Sequence, residues 1–145
     1  MIAYTLILAL SLAQSGDTPL LIEEETRTCE AHISKRSYSL ELAEGNGIEA
    51  TFSTRAMVVK PGLPYRAKVI VAHYVWPIDG VALTRNGIRF LYFPPEALED
   101  MSWADSFVFS SGRYWGKHSL RGTKGTLIGF IECLCRESSE CEAED

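Results

Sequence analysis

Along most of this chain apolar residues alternate with polar ones, and that period of two constrains its fold more than any other feature. Over residues 28–33, Cys29, Ala31 and Ile33 share one face while Thr28, Glu30 and His32 share the other. Tyr38, Leu40 and Leu42 alternate with Ser39 and Glu41. Ile48, Ala50, Phe52, Ala56 and Val58 alternate with Glu49, Thr51, Ser53 and Arg55. Successive side chains of a strand point to opposite faces, so such runs read as strands with one buried side.

Turn chemistry separates the runs at Glu44-Gly45-Asn46-Gly47 and at Lys60-Pro61-Gly62-Leu63-Pro64. Residues 65–76 become apolar on both faces, which predicts a central strand ended by Pro77. Asn86-Gly87 predicts a type I′ turn between strands at 81–85 and 88–93, setting Leu83 opposite Phe90 and Val81 opposite Tyr92. One helix is expected at 95–104. Proline opens it, acids fill its first turn, and Ala97, Met101 and Ala104 form a stripe. A short strand at 106–110, a loop-rich hairpin over 111–125 and a last strand at 126–135 complete the pattern. The expected fold is a single all-β domain, an antiparallel β-sandwich or partly closed small barrel with one short α-helix.

The first 13 residues are uncharged and apolar and end in Ser11-Leu12-Ala13, the pattern of a secretory signal peptide cleaved after Ala13. Only the α-amino group supplies positive charge there. The run is well short of the ~20 residues a bilayer needs, so no stable membrane insertion is expected after cleavage. The reading is an exported protein, periplasmic or extracellular, whose residues 14–145 form one domain with an acidic tail from about residue 137.

Export turns the four cysteines into expected disulfides. Cys29 pairs with Cys133 or Cys135 on the last predicted strand, and Cys141 pins the tail to the remaining one. The alternative is a metal site built on Cys133, Cys135 and Cys141 with Cys29 or a histidine. Its spacing is not that of zinc ribbons, and no metal or cofactor is assigned.

Acids outnumber bases 19 to 14, for a net charge of −5. That balance argues against nucleic acid as a partner, since such binding runs on excess Lys and Arg. The bases are unevenly placed: Arg113, Lys117, Arg121 and Lys124 fall in a stretch with no acid. Neither a Gly-x-Ser-x-Gly elbow, nor His-Glu-x-x-His, nor a phosphate-binding glycine loop is present. Of the three histidines, His32 reads as solvent-facing, His118 as a surface residue, and His73 as buried, in phase with Val69, Val71 and Val75. The chain is therefore read as a non-catalytic binding domain. Its candidate surface is the 110–125 loop, with Ser111, Arg113, Tyr114, Trp115, Lys117, Arg121 and Lys124 as binding residues for a protein or glycan partner. Aromatics and arginine are the usual anchors of interfaces, and loops on β scaffolds commonly carry recognition. The alternatives are an inhibitor of an extracellular hydrolase, of lysozyme or protease type, and a hydrolase using His73 in an unrecognised site.

Ser111-Gly112-Arg113-Tyr114, followed by Lys124-Gly125, resembles the Ser-Gly-x-x-Tyr and later Lys-Gly pattern of bacterial envelope inhibitors of c-type lysozyme. Those are small exported β-barrels that insert a loop into the enzyme's cleft. The resemblance spans residues 111–125 of the 145 and implies Ser111, Tyr114 and Lys124 as contacts. Arg121-Gly122-Thr123 stands where that family tends to carry a Trp before its Lys-Gly, and the chain is longer than the family's domains.

Overall fold

The structure is a computed structural model that describes residues 28–137. The signal segment, Cys141 and the acidic tail beyond Glu137 lie outside the described residues. Ten elements follow one another: β1 (Glu30–Ser34), β2 (Ser39–Glu44), β3 (Ile48–Ser53), β4 (Pro64–Val71), β5 (Tyr74–Thr84), β6 (Gly87–Phe90), α1 (Pro95–Trp103), β7 (Ser106–Ser111), β8 (Tyr114–Ser119) and α2 (Lys124–Glu137). All eight strands form one antiparallel sheet in the order β1-β2-β3-β6-β5-β4-β7-β8.

The sheet curls into a half-barrel, as the alternating pattern predicts. Inward positions of β2 and β3 hold Leu40, Leu42, Ile48, Ala50 and Phe52, all buried. The curl carries β3 over to β7. Phe52 stacks on Phe109 with ring centroids 4.1 Å apart and meets Phe107 edge-on. Burying each such side chain contributes roughly 1.5–3 kcal/mol. Helix α1 begins at Pro95, where proline's missing N–H is no loss, and turns Ala97, Leu98 and Met101 into the core. The expected helix at 95–104 is thus present.

The last element is a correction: residues 126–135 are helix, not strand. Leu127, Phe130, Ile131 and Leu134 recur at three- and four-residue spacing, and Leu127 and Phe130 are fully buried. That stripe fits a helical face better than an alternating one. Helix α2 packs against α1 and β1 and is joined to β1 by the Cys29–Cys133 disulfide, with Cα atoms 5.8 Å apart. Of the two pairings expected for Cys29, the Cys133 one is present, and Cys135 is also disulfide-bonded. With Cys29, Cys133 and Cys135 all spent on disulfides, the metal alternative loses three of its four sulfurs.

Four further local expectations fail for identifiable reasons. Strand β3 stops at Ser53, and the buried residues beyond it are Met57 and Val59 rather than Ala56 and Val58. A turn at Thr54–Met57 shifts the phase. The β5–β6 turn falls at Arg85-Asn86, and neither Asn86 nor Gly87 has a positive φ. Its register pairs Val81 with Arg89 and Gly80 with Phe90, with an irregularity between Ala82 and Thr84. Asn86 is committed elsewhere: its side chain donates to Met57 O at 2.6 Å and its carbonyl accepts from Thr54 N. Gly87 serves close approach, because a Cβ there would lie 2.8 Å from Ser53 Oγ.

Residues 65–76 are two strands, not one. They turn at Ala72-His73, where Ala72 adopts φ +55°, and His73 is exposed at the tip rather than buried. Pro77 continues β5 opposite Lys68, beyond the end of the β6 ladder at Gly80. The hairpin expected over 111–125 is present but tight, and the rest of the stretch is strand β8, a short turn and the start of α2 rather than loop.

Candidate functional site

The half-barrel leaves its two edge strands, β1 and β8, unpaired with one another. The seam between them is laced at one end. Tyr38 Oη, at the start of β2, donates to Ser119 O at 2.7 Å, and Lys35 Nζ donates to Arg121 O. Burial pushes the Tyr38 hydroxyl up to about 12, so it stays a donor across the physiological range. Beside this lacing, and lined in part by the same Lys35 and Tyr38, lies an open cleft of about 560 Å³. Its walls are the β1–β2 turn, the segment after β3 and the edge of β8.

The β7–β8 hairpin builds one wall. Gly112 takes φ +58° at the first central position of a two-residue turn, which glycine adopts without steric cost. Gly116 has a different role. A Cβ there would fall on Tyr114 Oη and 2.9 Å from His118 Nε2. Its absence lets the Tyr114 hydroxyl cross the strand and sit 2.8 Å from His118 Nε2. Ser37 Oγ lies 3.2 Å from the other ring nitrogen, Nδ1. A neutral imidazole donates through one nitrogen and accepts through the other, and a hydroxyl can answer either role.

His118 is 4% exposed, with Tyr38, Phe52 and Phe107 around its ring. This burial lowers its pKa below the ordinary 6.5 and favours the neutral ring. The sequence reading of His118 as a surface residue is therefore corrected, while His32 is exposed as expected. The facing wall is fixed from below. Thr54 Oγ1 donates to Ser37 O at 2.8 Å, and the Asn86 amide holds the turn that carries Arg55.

Four cations line the cleft, Lys35, Arg36, Arg55 and Lys117, and among the described residues no Asp or Glu does. Hydroxyls of Ser37, Ser39 and Thr54 lie between them, and Tyr114 and Trp115 supply aromatic surface. Trp115 is 63% exposed. The arrangement concentrates positive charge and hydrogen-bonding groups in an otherwise acidic chain, which suits an anionic ligand.

The sequence-derived residues divide. Tyr114, Trp115 and Lys117 line the cleft, and Arg121 borders it through the bond its carbonyl accepts from Lys35. Arg113 is exposed at the hairpin tip, and Lys124 is exposed as the first residue of α2. Ser111 is buried and donates to Arg66 O at 3.4 Å. Sequence reasoning missed Lys35, Arg36, Ser37, Arg55 and His118. A signal was available in the adjacent bases Lys35-Arg36 between two strands, but nothing local ties them to residues eighty positions later. No protein family, no curated protein and no solved structure matches the chain. Among the described residues no cluster of three or more His, Cys, Asp or Glu side chains is placed to hold a metal ion.

Proposed function

We propose that this chain is an exported, non-catalytic binding domain, and that the cleft beside the laced end of the seam is where it meets a protein or glycan partner. The observation that carries the reading is the cleft's four cations with no carboxylate among the described residues beside them, in a chain of net charge −5. Like charges gathered in one concavity repel one another, and a bound anion relieves that repulsion. The Cys29–Cys133 disulfide supports an oxidising compartment, and no helix among the described residues is long and apolar enough to cross a membrane. Export by cleavage after Ala13 is tested by the intact mass of the protein from its host, which should lack residues 1–13.

Binding is tested by retention on immobilised polyglutamate and on immobilised polygalacturonate. The chain should be retained on at least one at low salt. The double variant Arg55→Ala/Lys117→Ala should elute with affinity reduced about tenfold or more, as expected when two charge-assisted contacts are lost, and with an unchanged melting temperature. Passage of the unaltered chain through both columns would overturn the reading.

A further inference from the structure

Strand β8 is an edge, and the phase of its hydrogen bonds can be worked out. The β7–β8 turn has two residues and closes on the pair Ser111–Tyr114. Such a hairpin closes on a hydrogen-bonded pair, after which bonded and non-bonded pairs alternate. Gly116 and His118 therefore direct their N–H and C=O groups at β7. Trp115, Lys117 and Ser119 direct theirs away from it. Ser119 agrees with this phase, since its carbonyl accepts from Tyr38 Oη.

Trp115 and Lys117 have no such closure. Among the described residues, no backbone bond outside the ladder involves either of them. Both line the cleft. They present two N–H and two C=O groups, with the two residues roughly 7 Å apart, which is half of the ladder that another extended chain completes. The charge around this edge has one sign: Lys117 stands on the strand, and Lys35, Arg36 and Arg55 stand across from it.

We propose that the β8 edge takes an extended acidic segment of a partner protein, which pairs with Trp115 and Lys117 as a ninth strand while its carboxylates meet Lys35, Arg36, Arg55 and Lys117. This rests on the reading of the cleft as a binding site and names its occupant. Main-chain bonds supply affinity in such strand addition and side chains supply selectivity. A second copy of this chain is a poor occupant, because β8 against β8 brings the same cations together.

The probe is a fluorescent peptide of about ten residues alternating Glu and Thr, long enough to span a six-residue strand. Its companions are a Lys/Thr peptide and the Glu/Thr peptide N-methylated at every central residue, which blocks both of its edges. Anisotropy should show the Glu/Thr peptide bound, the Lys/Thr peptide unbound and the methylated peptide weakened about tenfold or more. Amide hydrogen exchange should slow at Trp115 and Lys117 on binding, with Gly116, already directed at β7, unchanged. Lys117→Pro removes one edge donor without touching the β7 ladder and should weaken the peptide. Because proline also restricts the β8 backbone, the methylated peptide on the unaltered chain carries the decision. Equal binding of the methylated peptide, unchanged exchange at Trp115 and Lys117, or dimerisation of the chain through β8 in place of peptide binding would overturn strand addition. Retention on polygalacturonate without peptide binding would overturn it too, while leaving the binding domain standing. Failure of every anionic probe would remove both.

Discussion

Two of the concavities among the described residues are similar in size but treat charge differently. The first, about 600 Å³, is a hollow lined by β1, β2, β3 and β6 side chains, among them Glu30, Glu41, Glu49, His32 and Arg89. Opposite charges meet inside it: Arg89 Nη2 is 2.7 Å from Glu49 Oε1, and His32 Nε2 lies 3.9 Å from Glu41 Oε2. Its strands also pair with one another through the sheet. The second is the seam cleft, where among the described residues the cations have no acid to face and the β8 edge has no neighbouring strand. A folded chain can neutralise a charge cheaply with a surface partner, as Arg89 and Glu49 do in the hollow. Four like charges over a strand edge that is unpaired among the described residues are what the proposed acidic partner would answer.

The largest effect that can strain this comparison acts on the hollow's own edge. Strand β1 is held by the disulfide from Cys29 to Cys133, which closes a loop 104 residues in sequence separation. Replacing both cysteines with Ala should cost about 4–5 kcal/mol in the chain-entropy account, read from chemical denaturation. A loss below about 1 kcal/mol would mean that β1 is held by packing alone.

Next in size is Gly116→Val, which would drive side-chain atoms into Tyr114 and His118 at the floor of the cleft. It should cost roughly 2–3 kcal/mol through overpacking and the lost hydrogen bond. Thr51→Val in the hollow should stay within about 0.5 kcal/mol. Equal costs at the two sites would erase the distinction between a built floor and a simple surface.

The pH dependence sharpens the contrast further. Burial holds the His118 pKa below 6.5, so the unfolded chain takes up a proton that the folded chain disfavours. The stability tied to this group is full above pH 6.5 and drains as pH falls from there through the lowered folded value. Melting temperatures across that window should fall for the unaltered chain and fall less steeply for His118→Phe. Identical slopes would show that His118 is not buried as described.

The smallest effect belongs to the hollow. Glu49→Gln breaks a partly exposed ion pair, so it should cost less than about 1 kcal/mol and less still at high salt. A larger loss would make the hollow a structural centre in its own right.

The same contrast shows what a linear reading can reach. The hollow's strands were legible because their alternation is unbroken: Leu40, Leu42, Ala50 and Phe52 point inward as the pattern requires. Helix α1 was legible from its prolines and acids. Ala72 hid a hairpin, because a positive φ at alanine leaves no glycine or asparagine to announce the turn. Asn86 announced the wrong turn, since its amide is engaged by a strap thirty residues earlier. Helix α2 was obscured because an apolar run can satisfy either period in part. Half of the cleft was visible, namely Tyr114, Trp115 and Lys117, as a cluster of bases and aromatics. Lys35, Arg36 and Arg55 join them only through the curl of the sheet, which no local pattern encodes.

The bond between Cys29 and Cys133 also orders events in time. One sulfur sits at the entrance to the first strand and the other in the final helix. During synthesis the first must therefore wait, unpaired or wrongly paired, until nearly every other element has been made. Once closed, the link makes the chain a ring: a single cut at any peptide bond between the two cysteines leaves both fragments on one covalent molecule. A protease that nicks an exposed turn, such as the one at Ala72-His73, would change the number of chain ends without releasing a piece.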